Sequence, residues 1–184
     1  EELAAIRPMK AVFDQKYVKN LQGEHVKTST SKWELLEELR ADIRNFKANN
    51  NLDRLVVVWC GSTEIFLMHN PAYNTIESFE NAIKDNHDCI APSMLYAYAA
   101  LKEGVPYING APNLTVDIPA IIKYAEDNGL AIAGKDFKTG QTLMKSGVAP
   151  IFGTRCLGLS GWFSTNILGN RDGLVLDEPA NFRT

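Results

Sequence analysis

The chain has 184 residues, a formal charge of −3, and 45% apolar and 22% charged side chains, which suits a soluble globular protein with a sizeable core and excludes a disordered one. A slightly acidic balance without a long basic run argues against nucleic acid as a partner, and no apolar stretch approaches the ~20 residues needed to cross a bilayer, so no membrane partner is expected. Cys60, Cys89 and Cys156 are widely spaced and form no CxxC, so they read as reduced thiols of a cytoplasmic protein with neither disulfide nor zinc site.

The sequence opens at Glu1 without a methionine or a signal peptide and is read as a piece of a longer protein. Residues 1–27 carry mixed charge and weak periodicity, with Phe13 and Tyr17 as candidate anchors of a surface excursion. Ser31 and Glu34 form a capping box, and Leu36, Leu39, Ile43 and Phe46 recur at helical spacing, which predicts a helix from about Lys32 to Asn49. Leu55 to Cys60 is a continuous apolar run, the pattern of a parallel strand covered by helices on both faces. Gly61 to Glu64 form a polar turn at its carboxyl end, where ligands collect in open α/β sheets, although a solvated loop fits the segment equally. Pro71 to Asn74 read as an ordinary turn.

Thr75 to Asp85 predicts a helix with Ile76, Phe79, Ala82 and Ile83 on one face. A second helix runs from Pro92 to Lys102, started by proline and stopped by Gly104. Val105 to Ile108 form a short strand ending in the turn Asn109 to Asn113. Asp117 is read as the cap of a further helix that buries Ile121, Ile122 and Tyr124 and stops at Gly129. Leu130 to Ala133 then read as a buried strand ended by Gly134. Strands near 55, 105 and 130 alternating with helices are the signature of a doubly wound parallel sheet.

After Gly134 a polar turn leads into a helix near Gly140, leaving free backbone amides beyond the strand end. Thr139 and Thr142 add hydroxyls, Gly140 permits close approach, and Lys138 and Lys145 add charge, so the segment reads either as an anion site or as an ordinary capped helix start. Gly158 to Thr165 suggest a strand or close-packed crossing. Asn166 to Gly173 form a turn able to bond a polyhydroxylated ligand, or a plain surface turn. His25, His69 and His87 lack partners at ligand spacing and read as solvated, so no metal is expected. Glu34, Glu37, Glu38, Glu77 and Glu80 read as wet helix faces. The GxSxG, Walker, HExxH and complete GxGxxG signatures are missing.

The segment GKDFKTGQTLMKS resembles the GDDxKSGQTKxKS segment of myo-inositol-1-phosphate synthases. Phe46 to Asn50, Leu52 to Glu64, Ile90 to Pro92, Gly104 to Asn113 and Leu168 to Asp172 resemble that family in the same order. This resemblance implies the later part of a Rossmann-like α/β NAD domain over residues 1–138, a partial parallel sheet. Residues 139–184 would then begin an α+β catalytic and tetramerisation domain. It implies NAD as cofactor, glucose 6-phosphate as substrate and a homotetramer. On this resemblance Cys60, Gly61, Ser62, Thr63, Gly110, Asp136, Thr139, Asn170, Arg171 and Asp172 lie beside NAD. Thr139, Gly140, Gln141 and Thr142 hold the substrate phosphate, and Asn166 and Asp136 act in catalysis. The implied reaction oxidises the sugar at C5, enolises it, closes the ring by an aldol step and reduces the product, with this chain by itself expected to be inactive; the alternatives are another NAD-linked sugar-phosphate oxidoreductase and a non-catalytic sugar-phosphate-binding protein. The sequence departs from the family pattern at Cys60, Gly61, Ser62, Lys135, Leu143, Ile167 and Arg171, and the family's FRSKExSK segment begins as Phe182, Arg183 and Thr184 without its lysines.

Overall fold

The computed structural model describes residues 8–137, 140–162 and 171–184. Ser31 opens helix α1 (Lys32–Asn49), its hydroxyl oxygen accepting the Glu34 amide, and Leu36 and Leu39 are buried beneath it. Strand β1 (Val57–Trp59) pairs in parallel with β2 (Tyr107–Asn109), and β2 pairs in parallel with β3 (Ile132–Ala133). Helices α2 (Ile76–Lys84) and α3 (Pro92–Lys102) lie between the first two strands in sequence, and α4 (Pro119–Asp127) between the last two.

The order β1-β2-β3 steps twice in one direction, and right-handed crossovers taken in one direction put their helices on the same face. Helix α3 accordingly packs on β1 and β2, with α1 and α4 packed on α3. It is apolar almost all round, with Met94, Leu95, Ala97, Tyr98, Ala99, Ala100 and Leu101 buried, as a helix at the centre of a core must be. The four buried tyrosines all find partners: Tyr73 donates to the Cys89 carbonyl at 2.6 Å, Tyr98 to Glu80 at 2.5 Å, Tyr107 to the Ser93 carbonyl at 3.3 Å, and the Tyr17 hydroxyl lies 2.9 Å from the carbonyls of Asp88 and Ile90.

Several sequence readings change. Leu55 to Cys60 is covered on one face only: Val57 and Trp59 are partly buried against the core, whereas Val56 and Val58 are 52% and 44% exposed. The described strands, all parallel and in the order β1-β2-β3, are the expected partial sheet of an α/β fold. The third strand is likewise a half-exposed edge of two residues. Asp117 does not cap α4. The cap position is Ile118, and the Asp117 carboxylate instead accepts the Thr115 amide at 3.0 Å and pairs with Lys135 at 3.1 Å. Gly158 to Trp162 form no strand and are exposed, with Phe163 to Thr165 outside the described residues. Glu80 is also less wet than its helix face suggested, being shared between the Tyr98 hydroxyl and Lys102.

Helix α5 (Gly140–Thr154) follows β3, and α6 (Asp172–Leu176) and α7 (Pro179–Phe182) close the chain. The last two dock on earlier segments. Val175 is buried, the Asn181 amide nitrogen donates to the carbonyls of Tyr17 and Thr63 at 2.8 Å each, and the Phe66 amide donates to the Ala180 carbonyl. Among the described residues no helix is long and apolar enough to cross a membrane.

Candidate functional site at the strand carboxyl ends

Three parallel strands place their carboxyl ends along one edge, and the turns that leave them are tied to one another. The Gly110 amide donates to the Trp59 carbonyl at 2.9 Å, joining the second turn to the first. Asp136 and Phe137 donate their amides to the carbonyls of Ala111 and Gly110 at 3.1 and 3.2 Å, joining the third turn to the second. Gly110 has no room for a side chain: a Cβ there would run into the Phe137 ring and stand 2.6 Å from the Trp59 carbonyl oxygen. Gly61 is similarly confined, its Cβ position lying 2.5 Å from the Trp59 indole. Asp136 takes the left-handed conformation with φ of 63°, which short polar side chains tolerate.

A cavity of about 400 Å³ opens beside the first of these turns, lined by Trp59, Gly61 and Ser62 from β1 and its turn, Tyr96 from α3, and Arg171 from the chain's last section. Its other wall is the segment 11–26, which holds its place through buried Val12, Tyr17 and Val18 and an isolated parallel bridge between Ala11 and Val26. Trp59 and Tyr96 stack in tilted fashion at 5.1 Å, and the Trp59 indole nitrogen is buried without a hydrogen-bond partner. The excursion of residues 1–27 thus acquires a role in its described part: it roofs the cavity.

Of the residues named from the sequence, the structure places Gly110 and Asp136 in the linked turns at the strand ends and Gly61, Ser62 and Arg171 on the cavity beside the first of them. Cys60 is exposed at the strand end and Thr63 is tied through its carbonyl to Asn181. Arg171, with φ of 66°, precedes Asp172 at the start of α6. Gly140, Gln141 and Thr142 form the first turn of α5, with side chains outside the described set; Thr139, Asn166 and Asn170 lie outside the described residues altogether. His25, His69 and His87 are exposed, and the described residues contain no cluster of ligands able to hold a metal ion.

The buried polar group at this edge was not legible in the sequence. Glu64, Ser93, Asn109, Asn113 and Thr115 are each no more than 2% exposed. The Glu64 carboxylate accepts the Ser93 amide at 2.9 Å and the Ser93 hydroxyl at 2.5 Å, and the Ser93 hydroxyl lies 2.8 Å from that of Thr115. Asn113 accepts the Glu64 amide at 2.9 Å and takes the Asn109 amide on its carbonyl. Burial pushes the Glu64 carboxyl up to about 7 despite the two Ser93 donors, with nearby Asp14 adding to the shift. The only sequence signal was a glutamate closing the polar turn after an apolar strand, and it does not reveal partners 29 and 49 residues away.

Comparison with known proteins assigns the chain to one family. The family model for the NAD-binding domain of myo-inositol-1-phosphate synthase matches residues 1–179. The inositol-3-phosphate synthase 1 of Bacteroides thetaiotaomicron is 54% identical over the whole chain, which covers 43% of that protein. The inositol-3-phosphate synthase of Trypanosoma brucei brucei is 39% identical over 99% of the chain and 35% of its own length. The crystal structure of inositol-3-phosphate synthase from Caenorhabditis elegans superposes with a TM-score of 0.85 at 34% identity, covering 96% of the chain and 35% of its own. The chain therefore spans well under half the length of these relatives, and over that span it belongs to the myo-inositol-1-phosphate synthase family, within the section that carries the family's NAD-binding domain.

Proposed function

We propose that a protein containing this chain, with the remaining length its relatives have, converts glucose 6-phosphate to 1L-myo-inositol 1-phosphate in the cytoplasm as a homotetramer. The observation that carries this is the placement of Gly110 and Asp136 in the linked turns at the strand ends, with Gly61, Ser62 and Arg171 on the cavity beside the first of them, in a chain of this family. NAD fits the edge on the molecule's own terms. The cavity is within the ~300–1,000 Å³ of ordinary ligand pockets, its indole N–H lacks a partner, and Arg171 offers positive charge to a pyrophosphate. Held there, NAD would supply reversible hydride transfer, and the net change would be an isomerisation.

The chain's residues contribute binding and orientation. Gly61 and Ser62 present backbone and hydroxyl at the end of β1, with Cys60 and Thr63 on either side. Gly110 keeps the second turn low enough for the third to cross it, and that crossing holds Asp136 at the edge. In this reading Asp136 accepts a hydrogen bond from a ribose or substrate hydroxyl. Beyond it, Gly140, Gln141 and Thr142 begin a helix of fifteen residues, whose first amides have no partner within the helix and suit a phosphate. Thr139 with these three forms the proposed phosphate cradle, Asn166 assists the chemistry, and Asn170 and Asp172 join Arg171 beside the cofactor. Residues 139–184 open the catalytic and oligomerising part, after a boundary near 138.

The test is inositol phosphate formation from glucose 6-phosphate and NAD by the full-length protein, together with T142V. That substitution keeps shape and removes one hydroxyl, so glucose 6-phosphate affinity falls about tenfold or more while NAD affinity holds. No inositol phosphate, or equal loss of both ligands, refutes the reading.

A further inference from the structure

Glu64 sits where three segments of the sheet edge meet. Its carboxylate binds the amino end of α3 through Ser93, its own amide binds Asn113 of the turn after β2, and its carbonyl accepts the Thr184 hydroxyl at 2.7 Å. It directly follows Thr63 and lines the same cavity as Gly61, Ser62 and Arg171. A buried carboxylate is a poor way to gain stability, since an apolar residue of the same shape often does as well or better. What a fully bonded one supplies is fixed geometry.

The Ser93 and Thr115 hydroxyls make that geometry independent of the proton. With Glu64 ionised, Ser93 donates to the carboxylate and can accept from Thr115. With Glu64 protonated, the carboxyl donates to Ser93 Oγ, and Ser93 donates to Thr115 Oγ1. Both arrangements use the same 2.5 and 2.8 Å separations. We infer that Glu64, acting through the reversible hydroxyl relay of Ser93 and Thr115, is a positioning residue that holds the turn Cys60–Thr63 in the conformation that receives the cofactor. This rests on the NAD reading above. The charged and titratable groups that act on it are Asp14 and Tyr17 of the cavity roof and Tyr107 of β2. A proton on Glu64 changes their field without loosening the turn.

The relay makes unequal demands on two substitutions. In E64Q the side-chain oxygen still accepts the Ser93 amide, while the amide nitrogen donates to Ser93 Oγ as the protonated acid would. E64M fills the same space and removes both bonds. The experiment measures NAD and glucose 6-phosphate dissociation constants by calorimetry in the full-length protein, with thermal melting as a check on folding. Loss of a charge-assisted bond predicts NAD binding weakened about tenfold or more in E64M and within about threefold in E64Q, with glucose 6-phosphate binding unchanged in both. T115V is neutral alone and weakens NAD binding several-fold in the E64Q background, where Ser93 needs Thr115 as its acceptor. That pair of T115V measurements decides the matter if E64M fails to fold. NAD binding by E64M equal to the unsubstituted protein, or a T115V effect equal in both backgrounds, overturns the inference alone. Absence of NAD binding by the unsubstituted protein overturns the cofactor reading and this inference with it.

Discussion

The substitution Gly110→Ala probes the closest approach at the sheet edge. The new Cβ would run into the Phe137 ring and stand 2.6 Å from the Trp59 carbonyl oxygen, whereas real Cβ contacts essentially never fall below 3.0 Å. The Phe137 ring is 45% exposed and can swing aside. The Trp59 carbonyl cannot, because it accepts the Gly110 amide in the β1–β2 ladder. Overpacking of this kind costs about 1–3 kcal/mol, which for a chain of this size lowers the melting temperature by roughly 2–4 °C per kcal/mol. Thermal unfolding of G110A should therefore fall by roughly 2 to 12 °C, and in the full-length protein NAD binding should weaken as the first turn is pushed away from the second. Adding Phe137→Ala separates the two contacts. The ring's share of the loss is recovered and the carbonyl's share remains, after allowance for F137A alone. An unchanged melting temperature in G110A, or complete recovery in G110A/F137A, refutes the argument that the backbone sets the limit.

Two further outcomes follow from the packing and electrostatics. The Glu64 carboxyl is raised from 4.5 to about 7 in the folded chain, so between those values the folded state holds more protons than the unfolded one. Stability then falls as pH rises through that window and is level above it. The difference is on the order of 3 kcal/mol, and chemical denaturation at pH 5 and pH 8 should show it in the unsubstituted chain and a flatter profile in E64Q; the same slope in both would place the titration elsewhere. Leu36→Ala empties a site with 0% exposure under α1, and urea denaturation should show a loss of about 2–5 kcal/mol, a loss under 1 kcal/mol meaning that α1 is not seated on the core.

The sequence alone determined what depends on local spacing. Helix α1 begins and ends where Ser31 and the Asn49–Asn51 run place it, and α3 spans Pro92–Lys102 because proline suits the first turn and Gly104, with φ of 70°, the exit. Alternation of apolar strands with amphipathic helices gave the parallel order, and parallel order puts the turns after Trp59, Asn109 and Ala133 on one edge. The turns that carry Gly61, Ser62, Gly110 and Asp136 were legible for that reason, since a turn at a strand end is a local feature; the proposal that these residues meet NAD came from the family resemblance. Only the tertiary structure decided what depends on partners distant in sequence. It left Val56 and Val58 open, because burial of a strand's second face depends on what packs there rather than on the strand's composition. It moved Asp117 from a helix cap to an ion pair with Lys135, since a carboxylate bonds whichever donor the fold brings closest. It set segment 11–26 and Arg171 around the cavity beside β1. It also assembled Glu64, Ser93, Asn113 and Thr115 into one buried network, because each is an ordinary polar residue of a turn or helix start until the fold removes water from all of them together.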